Sequence, residues 1–536
     1  MTTPPVFPER FNMARYFLDD RLAEGRGERV AVIDDSGAYT YREVAARAEQ
    51  VARVLWERGV RPEDRVLIAL HDSVEFAAAF FGILKAGAVV TMVNPDLPET
   101  DYDYYFGYTR ARACLVEAGL WARIRELVAP HRGICHTVLT ARPTGDAAGA
   151  TTGDGGGETL PWTETVDRAR PGFGTYDTSK DDPSVWLFTS GSTGKPKAAV
   201  HLHHDFPYNT ECYAKGVLGM GPTDVTLAVS KLFFGYATGS NLMFPLAVGG
   251  TAVLFRDKAT PERLCELVRR HRVTVLASVP TMINKMANEL TRLGAADPAR
   301  RQDLATLRAC ISAGEALPEE LYRRWKELTG VEILDGIGSA ELFHIYITNR
   351  PGDVVPGSLG RVVPGYEARL IGPDGGDVPD GEIGTLWVRG DSAAICYWQA
   401  HEKSKEVLRG DWVVSGDLFR RDAEGRFYYV GRADDLLKVG GIFVSPLEVE
   451  QVLLTHAAVL EVAVVGYEDE DRLVKAMAYV VLRSEAAASE ALAEELVQHT
   501  RARLAHYKAP RRVEFVPALP RSDRGKVLRR VLRGNT

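Results

Sequence analysis

Two apolar segments flank a helical one between Arg65 and Val93, and that order restricts the chain to folds with a parallel sheet. Arg65 to Leu70 reads as a buried strand, Ser73 caps a helix running to about Lys85 with Gly87 just past its end, and Ala88 to Val93 reads as a second strand. Strands joined through a helix run the same way, because the crossover returns the chain to the same end of the sheet. The pattern recurs at Thr251 to Phe255, a helix from about Pro261 to His271, and Val273 to Val279. Two parallel-sheet α/β layers of similar build are therefore expected, and 536 residues, 45% of them hydrophobic, suffice for several cores.

From Gly357 to Tyr429 the pattern changes. The turns Pro373-Asp374-Gly375-Gly376 and Ala423-Glu424-Gly425 alternate with short apolar runs, which predicts an antiparallel β subdomain. After Arg432 a helix is expected near Ser445 to Thr455, strands near Leu460 to Val465 and Lys475 to Leu482, and a helix near Ser489 to Ala505. That makes a small α+β domain of about one hundred residues. The Gly, Thr, Asp and Ala-rich stretch from Thr140 to Leu160 lacks periodicity and reads as a surface loop.

Composition narrows the function classes. No stretch approaches a membrane span, and Met1 to Arg15 mixes prolines with charges without an apolar signal region, so the cytoplasm is the expected compartment. Cys114, Cys135, Cys212, Cys265, Cys310 and Cys396 are scattered without a C-x-x-C pair, which argues against a zinc site and a disulfide framework. A net charge of −7 offers no nucleic-acid footprint. The tail is the exception: from Arg501 to Thr536 eleven Lys and Arg face only Glu514 and Asp523. This basic segment either meets an anionic cofactor or is a solvated surface.

The chemistry first shows in the run Thr189-Ser190-Gly191-Ser192-Thr193-Gly194-Lys195-Pro196-Lys197. Val185 to Phe188 before it and Ala198 to Val200 after it read as strands, so the run is expected at a hairpin tip. Glycines let backbone N–H groups approach an anion, hydroxyls add donors, and lysines supply positive field; polyphosphate fits such a loop. It is not a Walker A loop, because Thr189 stands where that motif needs Gly and Pro196 follows Lys195 where it needs Ser or Thr.

This run resembles the phosphate loop of the adenylate-forming superfamily, which holds acyl-CoA ligases, peptide-synthetase adenylation domains and luciferases. Ser312-Ala313-Gly314-Glu315-Ala316-Leu317, Asp335-Gly336-Ile337-Gly338-Ser339-Ala340-Glu341, Ser415-Gly416-Asp417-Leu418, Gly431-Arg432-Ala433-Asp434-Asp435 and Arg521-Ser522-Asp523-Arg524-Gly525-Lys526 are similar to the family's later motifs, in the family's order. The resemblance covers essentially the whole chain. It implies a large domain over 1–433 that binds ATP and the acid, and a small mobile domain over 434–536 hinged at Asp434.

The resemblance also implies roles. Residues Thr189 to Gly194, with Lys195 and Lys197, would hold the β and γ phosphates, and Gly314, Glu315, Ala316, Asp335 and Gly336 would contribute to the nucleotide site. Glu341 matches the carboxylate that holds Mg2+ on the departing pyrophosphate. Asp417 matches the acceptor for both ribose hydroxyls, with Arg432 a second ribose or phosphate contact. Lys526 matches the lysine that bridges the substrate carboxylate and the adenylate. Gly440 and Gly441 would line the pantetheine tunnel of coenzyme A; a tight turn before a strand is the alternative reading. Ala340 stands where many members have Thr, which leaves Ser339 and Thr189 as hydroxyls able to substitute.

Lys231-Leu232-Phe233-Phe234-Gly235-Tyr236 and Glu341-Leu342-Phe343-His344-Ile345 are similar to the benzoate-CoA ligase branch. There the residues matching Gly235, Tyr236, His344 and Ile345 surround an aromatic ring. Members of the branch usually carry Ala at the position of Gly235, and the missing methyl makes room for a small ortho substituent, so 2-aminobenzoate is the first expected substrate and benzoate the second. The expected partners are a small aromatic carboxylic acid and coenzyme A, or a carrier-protein pantetheine in its place. A homodimer is among the assemblies expected; nucleic acid and membrane are not. A non-catalytic acyl-nucleotide binding protein is the remaining alternative, suggested only by Ala340.

Overall fold

The computed structural model describes residues 4–127, 129–131, 135, 137–141, 158–190, 195–294, 304–432, 435, 437–439, 442–469, 474–483, 488–521 and 527–533. Two large sheets carry the first four-fifths of the chain. One runs in the order Cys396–Tyr397, Pro196–Leu202, Pro183–Ser190, Val89–Met92, Arg65–Ala69, Ala113–Glu117, Thr137–Ala141, Glu158–Pro161. It is parallel from Pro183–Ser190 outward and antiparallel only at the hairpin edge. The second places Val30–Asp34, Thr251–Val253, Val225–Ala228, Val275–Ser278, Ala309–Ser312 and Ile333–Gly338 side by side in parallel, with antiparallel strands at both edges.

Both expected strand-helix-strand units are present, with helices at Val74–Lys85 and Pro261–His271. Ser73, the expected cap, accepts from the Phe76 amide, and Thr260 caps the second helix by accepting from the Arg263 amide. Every residue of Val74–Lys85 except Glu75 is buried, because this helix packs against strands of both sheets and against the helix Tyr41–Glu57. The two helices touch at Gly82, where a Cβ would lie 2.6 Å from Val51 Cβ and 2.7 Å from the Ala48 carbonyl oxygen. No larger residue fits there without parting the layers.

Glu367–Ile371, Ile383–Arg389, Trp412–Arg421, Leu408–Arg409 and Phe427–Arg432 form the expected antiparallel β subdomain. The small domain builds on Val459–Glu468 and Val474–Leu482, flanked by helices Pro446–Leu454 and Glu490–Arg501, which Ser445 and Ser489 cap. A further strand, Arg512–Phe515, pairs in parallel with Val474–Leu482. It lies inside the basic tail and was not expected, since its alternation of Arg, Val, Glu and Phe is short and half-exposed. The expected surface loop lies mostly outside the described residues.

Among the described residues, four of the tail's basic side chains hydrogen-bond to carboxylates. Arg529 donates to both oxygens of Glu450 at 2.7 and 2.9 Å, Lys508 to Glu448 at 2.7 Å, Arg521 to Glu461 at 2.9 Å and Arg533 to Asp435 at 2.6 Å. Arg529 and Lys508 fasten the tail to the helix Pro446–Leu454, Arg521 to the strand Val459–Glu468, and Arg533 to Asp435. All six cysteines are free, four of them buried and Cys265 and Cys396 half-buried. Among the described residues no helix is long and apolar enough to cross a membrane.

Candidate active site

The phosphate run forms the tip of a hairpin between Pro183–Ser190 and Pro196–Leu202, with Thr189 opposite Lys197 and Ser190 opposite Pro196. Gly191, Ser192, Thr193 and Gly194 lie outside the described residues. The base of the hairpin is held by the helix Asp101–Thr109, which presents Tyr104 and Tyr108 one turn apart with rings stacked at 5.3 Å. Tyr104 donates to the Pro196 carbonyl at 2.6 Å, and its ring lies 5.1 Å from the Lys195 ammonium. Tyr108 accepts from the Ala198 amide at 3.2 Å. Neither tyrosine was identified from the sequence, although their spacing on a helix and proximity to an aromatic cluster were visible there.

Glu341 lies in the short 3-10 turn Ala340–Leu342, directly after the strand Ile333–Gly338. The turn ends abruptly. Phe343 takes φ 69° and ψ −60°, and the His344 amide donates to the Leu342 carbonyl at 2.9 Å, which is a γ-turn. This reversal sends Glu341 to one side of the turn and delivers His344 and Ile345 to the next strand, Ile345–Thr348. Tyr397 donates its phenol hydrogen to Glu341 Oε1 at 2.5 Å. Burial, then the charge of Glu341, raises the Tyr397 pKa far above that of a free phenol, so it remains a donor.

Asp417 sits opposite Arg432 across the pair Trp412–Arg421 and Phe427–Arg432. The Asp417 amide donates to Ser415 Oγ at 3.1 Å, fixing the turn-like kink. A Cβ at Gly416 would lie 2.8 Å from an Arg432 guanidinium nitrogen, so the end of the arginine side chain lies close to the Ser-Gly-Asp backbone. Tyr346, fully buried on the strand after the γ-turn, links this element to the previous one. After burial itself, the charges of Asp417 and Glu341 are the next causes raising its pKa. The charges of both carboxylates thus act on one phenol.

Gly235 and Tyr236 begin the short helix Gly235–Thr238, while His344 immediately precedes and Ile345 opens the strand Ile345–Thr348. Tyr236 stacks on His344 with ring centroids 5.2 Å apart, and its hydroxyl reaches the carbonyls of Ser278 and Ile311 at 3.2 and 3.1 Å. His344 Nε2 lies 3.0 Å from the Tyr236 carbonyl, which can only accept, so Nε2 carries the hydrogen. Nδ1 is buried without a partner. Burial pushes the His344 pKa down to about 3, so the ring is neutral and Nδ1 keeps its lone pair. Gly239 lies under the ring: a Cβ there would be 2.4 Å from His344 Cδ2. A Cβ at Gly235 would meet Leu187 Cδ1 at 3.0 Å and the Phe343 carbonyl at 3.4 Å. Leu187 belongs to the first strand of the phosphate hairpin, so the acid pocket and the phosphate loop share one strand.

Other motif residues are placed less uniformly. Gly314 takes φ 88° in the loop after Ala309–Ser312, with open space where a Cβ would point. Glu315 uses Oε2 to accept from the Thr281 amide and hydroxyl at 3.0 and 2.7 Å, tying the Gly314–Ala316 turn to the start of helix Pro280–Arg292. Asp335 presents its carboxyl to the buried layer beside Tyr213 and Tyr236, and burial raises its pKa to about 8. Gly336 packs against the Ile347 carbonyl, 2.7 Å from where a Cβ would be. Lys526, Asp434, Gly440 and Gly441 lie outside the described residues. Among those described, no three His, Cys, Asp or Glu side chains gather as a metal cage. A lone carboxylate such as Glu341 is nonetheless what Mg2+ asks of a protein when phosphate oxygens and water complete its shell.

Comparison with known proteins agrees with this geometry. The AMP-binding enzyme family model matches residues 19–398, and the model of the AMP-binding enzyme C-terminal domain matches 448–526. The chain is 42% identical to a benzoate–CoA ligase of Thauera aromatica, over 99% of this chain and 98% of that ligase. It superposes on a benzoate CoA ligase from Burkholderia xenovorans LB400 with a TM-score of 0.86 and 40% identity, covering 98% and 100% of the two chains. It superposes on the anthranilate CoA ligase AuaEII, solved with anthranoyl-AMP, with a TM-score of 0.89 and 36% identity, covering 99% and 98%. Family models spanning most of the chain, with full-length relatives at 36–42% identity on the same two-sheet fold, assign the chain to the AMP-binding enzymes of the adenylate-forming superfamily, in their aryl-CoA ligase branch.

Proposed function

We propose that this AMP-forming acid–thiol ligase, using ATP, Mg2+ and coenzyme A, acts on 2-aminobenzoate first and benzoate second. The observation that carries the choice is the buried, unpartnered and neutral Nδ1 of His344, a residue whose counterpart in the benzoate-CoA ligase branch meets the aromatic ring. A buried acceptor without a donor is destabilising by about 1–3 kcal/mol, and an aryl amine N–H relieves it where benzoate does not. Gly235 supports the same reading because it carries no methyl where the branch usually has Ala, and a Cβ there would crowd Leu187 Cδ1 at 3.0 Å. Relatives point to the same pair of acids, since their names include benzoate and anthranilate ligases.

In the first half-reaction a carboxylate oxygen attacks the α-phosphorus of ATP and pyrophosphate leaves. Two anions must meet, so the residues neutralise charge and hold an in-line approach; no nucleophilic side chain is needed. Lys526 bridges the incoming carboxylate and the α-phosphate, the Thr189–Lys197 hairpin holds the β and γ phosphates, and Asp417 with Arg432 orients the ribose. Mg2+, when bound, neutralises the departing pyrophosphate, and Glu341 is the residue that holds it. In the second half-reaction the coenzyme A sulfur attacks the acyl carbonyl, loses its proton, and displaces AMP, with Gly440 and Gly441 admitting the pantetheine arm after rotation at Asp434.

An acid panel assayed by pyrophosphate release and coenzyme A consumption, with mass spectrometry of the thioester, tests the proposal. The expected result is a kcat/KM for 2-aminobenzoate about 10-fold or more above that for benzoate. Equal or reversed values would remove the His344 and Gly235 argument.

A further inference from the structure

His201 is completely buried, and both of its ring nitrogens face oxygen atoms. Nδ1 lies 2.8 Å from Oδ2 of Asp205, also fully buried, and the Leu202 amide donates to the same oxygen at 3.1 Å. Nε2 lies 2.7 Å from the carbonyl oxygen of Ala340. A carbonyl only accepts, so Nε2 carries hydrogen and donates. His201 belongs to Pro196–Leu202, the strand that leaves the phosphate hairpin, and Ala340 is the residue before Glu341.

The same strand reaches Glu341 a second way. Cys396–Tyr397 pairs with it through Cys396 opposite Val200 and Tyr397 opposite Ala199, and Tyr397 donates to Glu341 Oε1 at 2.5 Å. The Ala394 amide donates to the Glu341 carbonyl at 2.8 Å. The turn has little hold of its own: it spans three residues, Ser339 makes no side-chain capping bond, and Ala340 has no hydroxyl. Main chain and carboxylate are therefore fastened from outside, both through the strand that begins at the phosphate hairpin.

We propose that His201 and Tyr397 are positioning residues for adenylation, setting the Glu341 carboxylate against the phosphate hairpin so that the metal-bearing pyrophosphate is held between them. The proposal rests on the reading of Glu341 as the Mg2+ carboxylate. A displacement of about 1 Å in such a site lowers the rate about 100-fold, while the thioester step, in which no pyrophosphate takes part, is indifferent to it.

The test compares His201→Leu, His201→Gln, Tyr397→Phe and Glu341→Gln. Binding of Mn2+·ATP without acid is followed by electron paramagnetic resonance; adenylation is measured by benzoate-dependent pyrophosphate exchange, and thioester formation from supplied benzoyl adenylate. His201→Leu and Tyr397→Phe should weaken Mn2+·ATP binding about 10-fold and adenylation about 100-fold, with thioester formation within about 2-fold of the wild type. His201→Gln, whose amide can still donate to Ala340, should recover most of both losses. Tyr397→Phe deletes a single oxygen and carries the test alone if His201→Leu does not fold. Unchanged Mn2+·ATP binding in the Leu and Phe variants, equal loss of both half-reactions, or no recovery in His201→Gln would overturn the proposal. If Glu341→Gln also binds Mn2+·ATP normally, the metal reading of Glu341 falls with it; if only Glu341→Gln is impaired, that reading stands and the positioning role is wrong.

Discussion

Phe206 lies face to face on Phe343, with ring centroids 3.5 Å apart and planes 10° from parallel. Phe343 is the residue at positive φ that reverses the chain between Glu341 and His344. A bulky side chain in that conformation is strained by about 1–3 kcal/mol and persists only where its surroundings hold it. Phe206 supplies that hold, so the placement of Glu341, proposed to hold Mg2+, and of His344, proposed to meet the acid, depends on one stacked pair.

Phe206→Ala is accordingly expected to lower unfolding free energy by about 3–5 kcal/mol, as for a fully buried aromatic, and to raise the apparent KM for ATP and for the acid together. Denaturant melts with steady-state kinetics on the same samples would measure both. A loss of stability with both KM values intact would separate the stack from the active-site turn.

Much of this site could be read from residue types because its parts are local. The hairpin followed from apolar runs on either side of a Gly, Ser and Lys loop, and Ser73 caps its helix as the spacing indicates. What was not legible arises from long-range pairing. Tyr397 reaches Glu341 only because Cys396–Tyr397 adds to the edge of a sheet formed much earlier in the chain, and no periodicity announces that. The γ-turn at Phe343 was hidden for the opposite reason: positive φ is signalled by Gly or Asn, and a phenylalanine there gives no local sign. His201 had a visible hint, three histidines within His201-Leu202-His203-His204, but not its acceptor.

Asp335 makes stability depend on pH in a direction opposite to that of paired surface carboxylates. Burial raises its pKa from the ordinary 3.8 to about 8, so between those values the folded protein retains a proton that the unfolded chain releases. The resulting stabilisation is fully present below about pH 4 and is lost as pH rises towards 8, with a limiting slope of about 1.4 kcal/mol per pH unit. Asp335→Asn keeps the shape and removes the titration. Its melting temperature should fall less steeply than that of the wild type between pH 6.5 and 8, a window set by this carboxyl. All other groups are common to the two proteins; parallel melting curves across that range would show that Asp335 is ionised in the fold.

Position 235 controls space, not polarity. The side chain of Gly235→Ala would press on Leu187, which is 2% exposed and has little freedom to withdraw, so the added methyl narrows the acid pocket. We expect kcat/KM for 2-aminobenzoate to fall about 10-fold relative to benzoate, within the 1–3 kcal/mol that one methyl commands in a fitted pocket. Competition between the two acids for one enzyme, read by mass spectrometry of the thioesters, gives the ratio directly. An unchanged ratio would move the selectivity to another wall of the pocket.

Lys526 and Asp434 should divide the two half-reactions between them. Lys526 is assigned to charge that develops only while the carboxylate attacks phosphorus; removing such a donor lowers the rate about 100- to 1,000-fold. Lys526→Ala should therefore suppress substrate-dependent pyrophosphate exchange by that factor, yet convert supplied aryl adenylate to the thioester at nearly the wild-type rate. Asp434→Pro acts on the opposite step, because proline fixes φ near −65° where a hinge must rotate. It should leave pyrophosphate exchange intact and slow thioester formation. The pairing matters more than either variant: a lysine acting only through the fold would impair both steps alike, and a hinge at another residue would leave the second step of Asp434→Pro unimpaired.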